Sequence, residues 1–165
     1  MRRSPALLFA LLAALAVPAP ALAQKAVIVV RHADNAGDNL TEAGQARAQR
    51  LATALAKANV AAIYSTDAKR AIGTATPFAE SKKLPVELYD TAKGDGFDAR
   101  PFAARLGKEH PGDVVLVVGH VTTIPDLLKS LGCPEDVRIA PLDYDDLFVV
   151  VPKEGAGAAL VRVRY

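Results

Sequence analysis

Apolar residues come in two kinds of run along this chain. Ala26-Val27-Ile28-Val29-Val30 and Val114-Val115-Leu116-Val117-Val118 are short, continuous and rich in β-branched side chains, as in strands buried on both faces. Each stops abruptly in polar chemistry, the first at Arg31-His32 and the second at Gly119-His120. Residues 60–64 form a third apolar run and residues 84–89 a fourth. Near the C-terminus the pattern changes: residues 147–151 are apolar, Glu154-Gly155-Ala156-Gly157 reads as a turn, and Val161 and Val163 then alternate with Arg162 and Arg164. That alternation predicts a hairpin at a sheet edge with one face solvated.

Between the runs the spacing is helical. Thr41 is a good N-cap and Glu42 suits the positive end of a helix dipole, so a helix is expected over residues 42–58, after a polar loop at 33–39. Residues 69–81 also read as a helix, with a kink or short break at Pro77. Asp98 can cap a helix over 99–109, where Phe102 and Leu106 are four apart on the buried side. Residues 121–131 complete the set, with Pro125 in the first turn and Gly132 as the stop. Strands alternating with helices predict a three-layer α/β/α sandwich, its sheet mostly parallel with an antiparallel C-terminal edge hairpin.

The N-terminal residues follow a different logic. Arg2-Arg3, the apolar stretch 6–17, Pro18 and Pro20, and Ala21-Leu22-Ala23 read as a cleaved secretory signal over 1–23, with one folded domain over 24–165. The apolar stretch is well short of the roughly 20 residues that span a bilayer. Export to the periplasm or medium is therefore expected, with no membrane association after cleavage. The net charge of +2 disappears with the signal, since residues 1–23 hold two arginines and no acid. A neutral remainder excludes an electrostatic case for nucleic acid or anionic membranes. Cys133, the one cysteine, cannot form an internal disulfide, so stability rests on the core. His110, in a turn before Pro111, is expected to be exposed and idle.

The chemistry concentrates at strand ends. If the strands ending at His32 and His120 are parallel neighbours, both imidazoles share the crevice where α/β sheets keep their sites. Either histidine alone would pass for a polar residue closing a sheet end. Arg31 changes that reading: a guanidinium directly after buried strand residues is costly to desolvate unless an anion meets it, and its fork suits phosphate or carboxylate. Arg70 follows the third run and opens onto the same crevice, while Thr122 or Thr123 could offer a hydroxyl to an anion at a helix start.

These stretches resemble the histidine phosphatase superfamily, in its phosphoglycerate-mutase-like branch. The matching residues are Val29-Val30-Arg31-His32-Ala33, Leu40-Thr41-Glu42-Ala43-Gly44-Gln45-Ala46-Arg47-Ala48, Tyr64-Ser65-Thr66 with Arg70 and Thr74-Ala75, and Val118-Gly119-His120, in family order. The resemblance implies a metal-independent phosphomonoester hydrolase without cofactors. It places the phosphohistidine nucleophile on His32 and the phosphoryl contacts on Arg31, Arg70 and His120; Thr123 stands beside them as a candidate ligand on its position at the helix start alone. Adjacent guanidinium charges favour a neutral, nucleophilic imidazole and stabilise the phosphoryl group in transfer.

The chain departs from the family pattern at Ala33, where glycine is usual, and in the proton donor. Many members carry Glu after the third strand; here Asp95 stands nearest the expected distance and Asp90 next, with Asp34 a further possibility and Glu87 a strand residue on a solvated face. The alternative is a phospholigand-binding pseudoenzyme that keeps the anion pocket without a competent acid. A mutase fits less well, since the chain lacks an obvious substrate-covering insertion. The partner implied is a small phosphorylated substrate or a phosphoprotein; the pattern leaves the oligomeric state open.

Overall fold

The structure is a computed structural model that describes residues 25–91, 97–153, 155 and 157–165. The expected signal segment 1–23, Asp95, and two residues of the C-terminal turn lie outside the described residues. In chain order the elements are β1 (Ala26–Arg31), β2 (Asn35–Ala36), β3 (Asn39–Leu40), α1 (Glu42–Ala54), β4 (Val60–Ser65), α2 (Lys69–Lys82) and β5 (Val86–Leu88). They continue with α3 (Ala99–Glu109), β6 (Val114–Gly119), α4 (Ile124–Ser130), β7 (Asp146–Pro152) and β8 (Ala158–Arg164).

The main sheet runs β5-β4-β6-β1-β7-β8. The first four strands are parallel, β7 is antiparallel to β1, and β8 is antiparallel to β7, as the apolar patterns predict. Side-chain parity on the central strands separates two cores. Val27, Val29, Val115 and Val117 pack with Phe102, Leu106, Leu127 and Leu128 of α3 and α4 on one face. Ile28, Val30, Leu116 and Val118 pack with Leu51 of α1 and Ala71, Ala75 and Phe78 of α2 on the other. The α/β/α sandwich thus follows from strands that are apolar on both faces.

Several local expectations need correction. The helix expected over 42–58 ends at Ala54, because Leu55 to Lys57 close in a turn, although Thr41 caps it by accepting from the Gly44 amide. Helix α2 passes through Pro77 without a break: Ala75, Phe78 and Ala79 on either side of it are buried in the core, which holds the helix together across the missing donor. The loop at 33–39 contains a two-stranded hairpin, with Gly37 at φ 59° in its turn. Helix α4 begins three residues later than expected, with Pro125 in its first turn. On β8 both Val161 and Val163 are exposed, because no element packs over this edge among the described residues; its arginines reach back to Asp143, Asp145 and Asp146 instead. His110 is neither exposed nor idle: it ends α3 with its ring against Tyr64, and its Nε2 lies 2.8 Å from the Tyr64 hydroxyl. Cys133 is buried, and that burial raises its thiol pKa.

Candidate active site

Strand register brings the two histidines together. Arg31 pairs with Gly119 across β1 and β6, and the His32 amide donates to the Gly119 carbonyl at 2.9 Å. His32 and His120 are therefore level, and their ring centroids are 5.1 Å apart. His32 is only 5% exposed. Its Nδ1 lies 2.9 Å from the Ala33 carbonyl, which can only accept, so Nδ1 carries the ring hydrogen. The lone pair is thereby placed on Nε2, which has no hydrogen-bond partner among the described residues and is not one of the sealed polar atoms.

The neighbours of His32 fix its backbone. The Ala33 amide donates to Thr74 Oγ1 at 2.8 Å, and the Thr74 hydroxyl donates to the Arg70 carbonyl at 2.7 Å. This links the segment after β1 to the first turn of α2, where Arg70 stands. Asp34 turns away to Arg47, which holds it through two contacts at 2.6 and 3.3 Å and keeps its carboxyl below the usual range. An acid held ionised in this way is a poor proton donor, which removes it from the candidates.

His120 is held by two threonines. Its Nε2 is 2.9 Å from Thr66 Oγ1, and its amide donates to Thr123 Oγ1 at 3.0 Å. Thr123, expected to offer its hydroxyl to an anion, is buried at this turn, where its oxygen accepts from the His120 amide and its hydroxyl lies 3.4 Å from the His120 carbonyl.

Arg31 and Arg70 approach from different sides. Arg70, about one-quarter exposed, pairs with the more open Asp38 of the β2–β3 turn at 3.0 Å. Such a pair contributes little and yields readily to a better anion. Arg31 is 7% exposed. Its Nη1 lies 2.8 Å from the Pro141 carbonyl, 3.2 Å from that of Asp143 and 3.4 Å from that of Ala140. Its guanidinium carbon sits 3.9 Å from the Tyr144 ring centroid, and its buried Nε has no partner among the described residues.

These surroundings make both imidazoles neutral. Burial lowers the His120 pKa to about 4, helped by His32, Arg70 and Arg31 and opposed by Asp67. Burial also lowers His32; the bond to Ala33 opposes this, while Arg70 and Arg31 add to it. Unfolding returns both rings to the ordinary value of 6.5, so below that pH the unfolded chain takes up protons that the folded one refuses. The expected result is stability that is complete above 6.5 and declines as the pH falls toward about 4. Urea midpoints at pH 7.5 and 4.5 check this, and identical midpoints would show that the rings titrate normally.

Of the expected acids, Asp95 lies outside the described residues. Asp90 is exposed and shares the wall of a cavity of about 280 Å³ with Asp67, Leu88, Tyr89 and Thr91. Glu87 is tied to Arg105 at 3.2 Å, in keeping with a strand residue. Tyr144 and Asp67 emerge from the structure alone, and Thr66, named above only within its motif, gains its contact to His120 from the structure.

Residues 23–93 match the family model described as histidine phosphatase superfamily (branch 1). Over that segment the chain is similar to the histidine phosphatase superfamily. Solved structures share the fold. The protein histidine phosphatase SixA complexed with tungstate superposes with a TM-score of 0.68 at 20% identity, covering 84% of this chain and 96% of that one. A putative alpha-ribazole-5'-P phosphatase from Escherichia coli gives 0.67 at 18% identity, covering 86% and 97%. A mycobacterial glucosyl-3-phosphoglycerate phosphatase with inorganic phosphate gives 0.64 at 18% identity, covering 86% and 96%. No curated protein matches the sequence.

Proposed function

We propose that this protein is a phosphomonoester hydrolase working through a phosphohistidine on His32. The observation that carries the reading is the Nδ1 bond to the Ala33 carbonyl, which leaves an unpartnered Nε2 lone pair beside His120 and two arginines. Nε2 attacks phosphorus, a P–N bond forms and the P–O bond to the leaving group breaks. Water then attacks phosphorus and the P–N bond breaks, returning neutral His32 and releasing inorganic phosphate. Arg31, Arg70 and His120 hold the phosphoryl oxygens, and their fixed charge supplies most of the rate. Nothing in this scheme calls for a metal or cofactor.

The leaving group needs a proton, and the described carboxylates are poorly placed to give one: Asp34 is locked to Arg47, and Asp90 and Asp67 are exposed. Hydrolysis by the mature protein is therefore expected to be faster for aryl phosphates, whose leaving groups need little protonation, than for alkyl phosphates. The test pairs that comparison with acid-quench trapping of base-stable, acid-labile phosphoprotein. Turnover without a trappable intermediate would defeat the mechanism. Phosphate binding with no turnover of either ester would favour the pseudoenzyme reading, which the same unplaced acid motivates.

The related structures carry names of phosphatases for proteins and for small phosphorylated molecules, and the substrate proposed here is of one of these kinds. Export is part of the proposal, on the strength of Arg2-Arg3, the apolar stretch and Ala21-Leu22-Ala23.

A further inference from the structure

The C-terminal hairpin has a second connection to the site, through the segment that leads into it. Strand β7 is antiparallel to β1, with Val30 opposite Leu147, so the chain just before β7 arrives at the end of β1 where Arg31 stands. There it surrounds one side of the guanidinium. The Pro141, Asp143 and Ala140 carbonyls face Nη1, and Tyr144 lies under the plane at 3.9 Å. The Tyr144 ring is also 6.1 Å from that of His32. An arginine so enclosed has lost most of its water, the condition under which carbonyl dipoles and an aromatic face act most strongly on a cation.

The segment is itself anchored. Arg162 of β8 grips the fully buried Asp146 side chain through two bonds at 2.6 and 2.8 Å, and lies 3.8 Å from Asp143. Arg164 meets Asp145 at 3.2 Å and Asp143 at 3.8 Å. The Tyr165 hydroxyl donates to the Tyr144 carbonyl at 3.4 Å. Asp146 and Arg162 are thus explained as the root of a strap, with Tyr144 at its tip.

We propose that Tyr144 is a positioning residue for Arg31: its ring and the adjoining carbonyls fix the guanidinium plane so that the Nη2 edge is presented to the phosphoryl group beside His32. With Nη1 engaged and Nε sealed, Nη2 is the donor still open among the described residues. The aromatic face carries the contact, and the hydroxyl, which bonds to no described residue, is dispensable. The inference rests on the phosphatase reading for what Arg31 holds, but the ordering of Arg31 can be measured without it.

The experiment compares wild type, Tyr144→Phe, Tyr144→Leu and Tyr144→Ala. Inorganic phosphate is titrated calorimetrically, and 15N relaxation of the Arg31 Nε–H group is recorded without phosphate. Phosphate affinity is expected to fall about tenfold in the Leu and Ala variants and to stay near wild type in Phe. Arg31 Nε–H should be rigid in wild type and Phe and mobile in Leu and Ala. Equal affinity in all four proteins, a loss in Phe matching that in Ala, or a mobile Arg31 in wild type would each overturn the proposal. If the Ala variant does not fold, Leu keeps the bulk and decides. If wild type binds no phosphate, the phosphatase reading fails, and the relaxation data alone decide whether Tyr144 orders Arg31.

Discussion

Replacing His32 by glutamine is expected to remove phosphomonoesterase activity by roughly a thousandfold or more, and with it the trappable phosphoprotein. The expectation comes from the hydrogen-bond arrangement. Nδ1 is committed to the Ala33 carbonyl, so Nε2 is the only ring atom able to attack, and no other histidine can take over. His120 has its Nε2 against Thr66, and His110 is bonded to Tyr64. Glutamine preserves polarity and much of the volume but has no nucleophilic lone pair on nitrogen, so folding should survive. Phosphate should still bind, since Arg31, Arg70 and His120 remain. The measurement is initial rate on an aryl phosphate, with phosphate affinity and urea midpoint recorded on the same preparation. Full activity in this variant would remove His32 from the chemistry, whatever its neighbours do.

The pairing of the two histidines was legible because it depends on strand parity and register, which apolar runs encode. Both runs are five residues long and both lead to a histidine at the same offset, so a parallel neighbour relation is enough to bring the rings together. Helix α3 was legible for a similar local reason: Asp98 caps it and the apolar spacing does the rest. What stayed hidden depends on contacts between segments far apart in the chain. Thr123 read as a ligand because a hydroxyl at a helix start resembles an anion site; its bonds to the His120 backbone, set by the turn, have no signal in the sequence. His110 read as idle because nothing in Glu109-His110-Pro111 announces that Tyr64 of β4 lies beside it. Tyr144 offered a faint clue. Once β7 is placed antiparallel beside β1, the residues before it must reach the end of β1, and Leu142-Asp143-Tyr144-Asp145-Asp146 is the stretch that does. Edge hairpins read most easily as closing elements, which conceals that consequence.

Alanine at Gly44 and alanine at Gly107 should change stability in opposite directions, although both glycines lie inside helices. Gly44 is buried in the first turn of α1, where the helix rests against the chain just after His32. The Thr41 amide donates to the Asp34 carbonyl at 3.0 Å, and a Cβ on Gly44 would overlap that same carbonyl oxygen. The obstacle is backbone, which cannot swing aside as a flexible side chain could, so α1 or the segment carrying Ala33 and Asp34 must shift. Overpacking of this kind costs about 1–3 kcal/mol, and the upper end is expected because both partners are main chain. Gly107, at an exposed position of α3, has nothing within 4 Å of the position its Cβ would take. There alanine restricts the unfolded chain and improves helix propensity, a gain of about 0.5–1 kcal/mol. Urea unfolding of the two variants reads both effects as midpoint shifts at constant slope. Because the Asp34 carbonyl is two residues from His32, Gly44→Ala should also lower turnover at temperatures where the protein remains folded, and Gly107→Ala should not. A Gly44→Ala protein as stable and as active as wild type would mean that α1 does not hold the His32 loop in place.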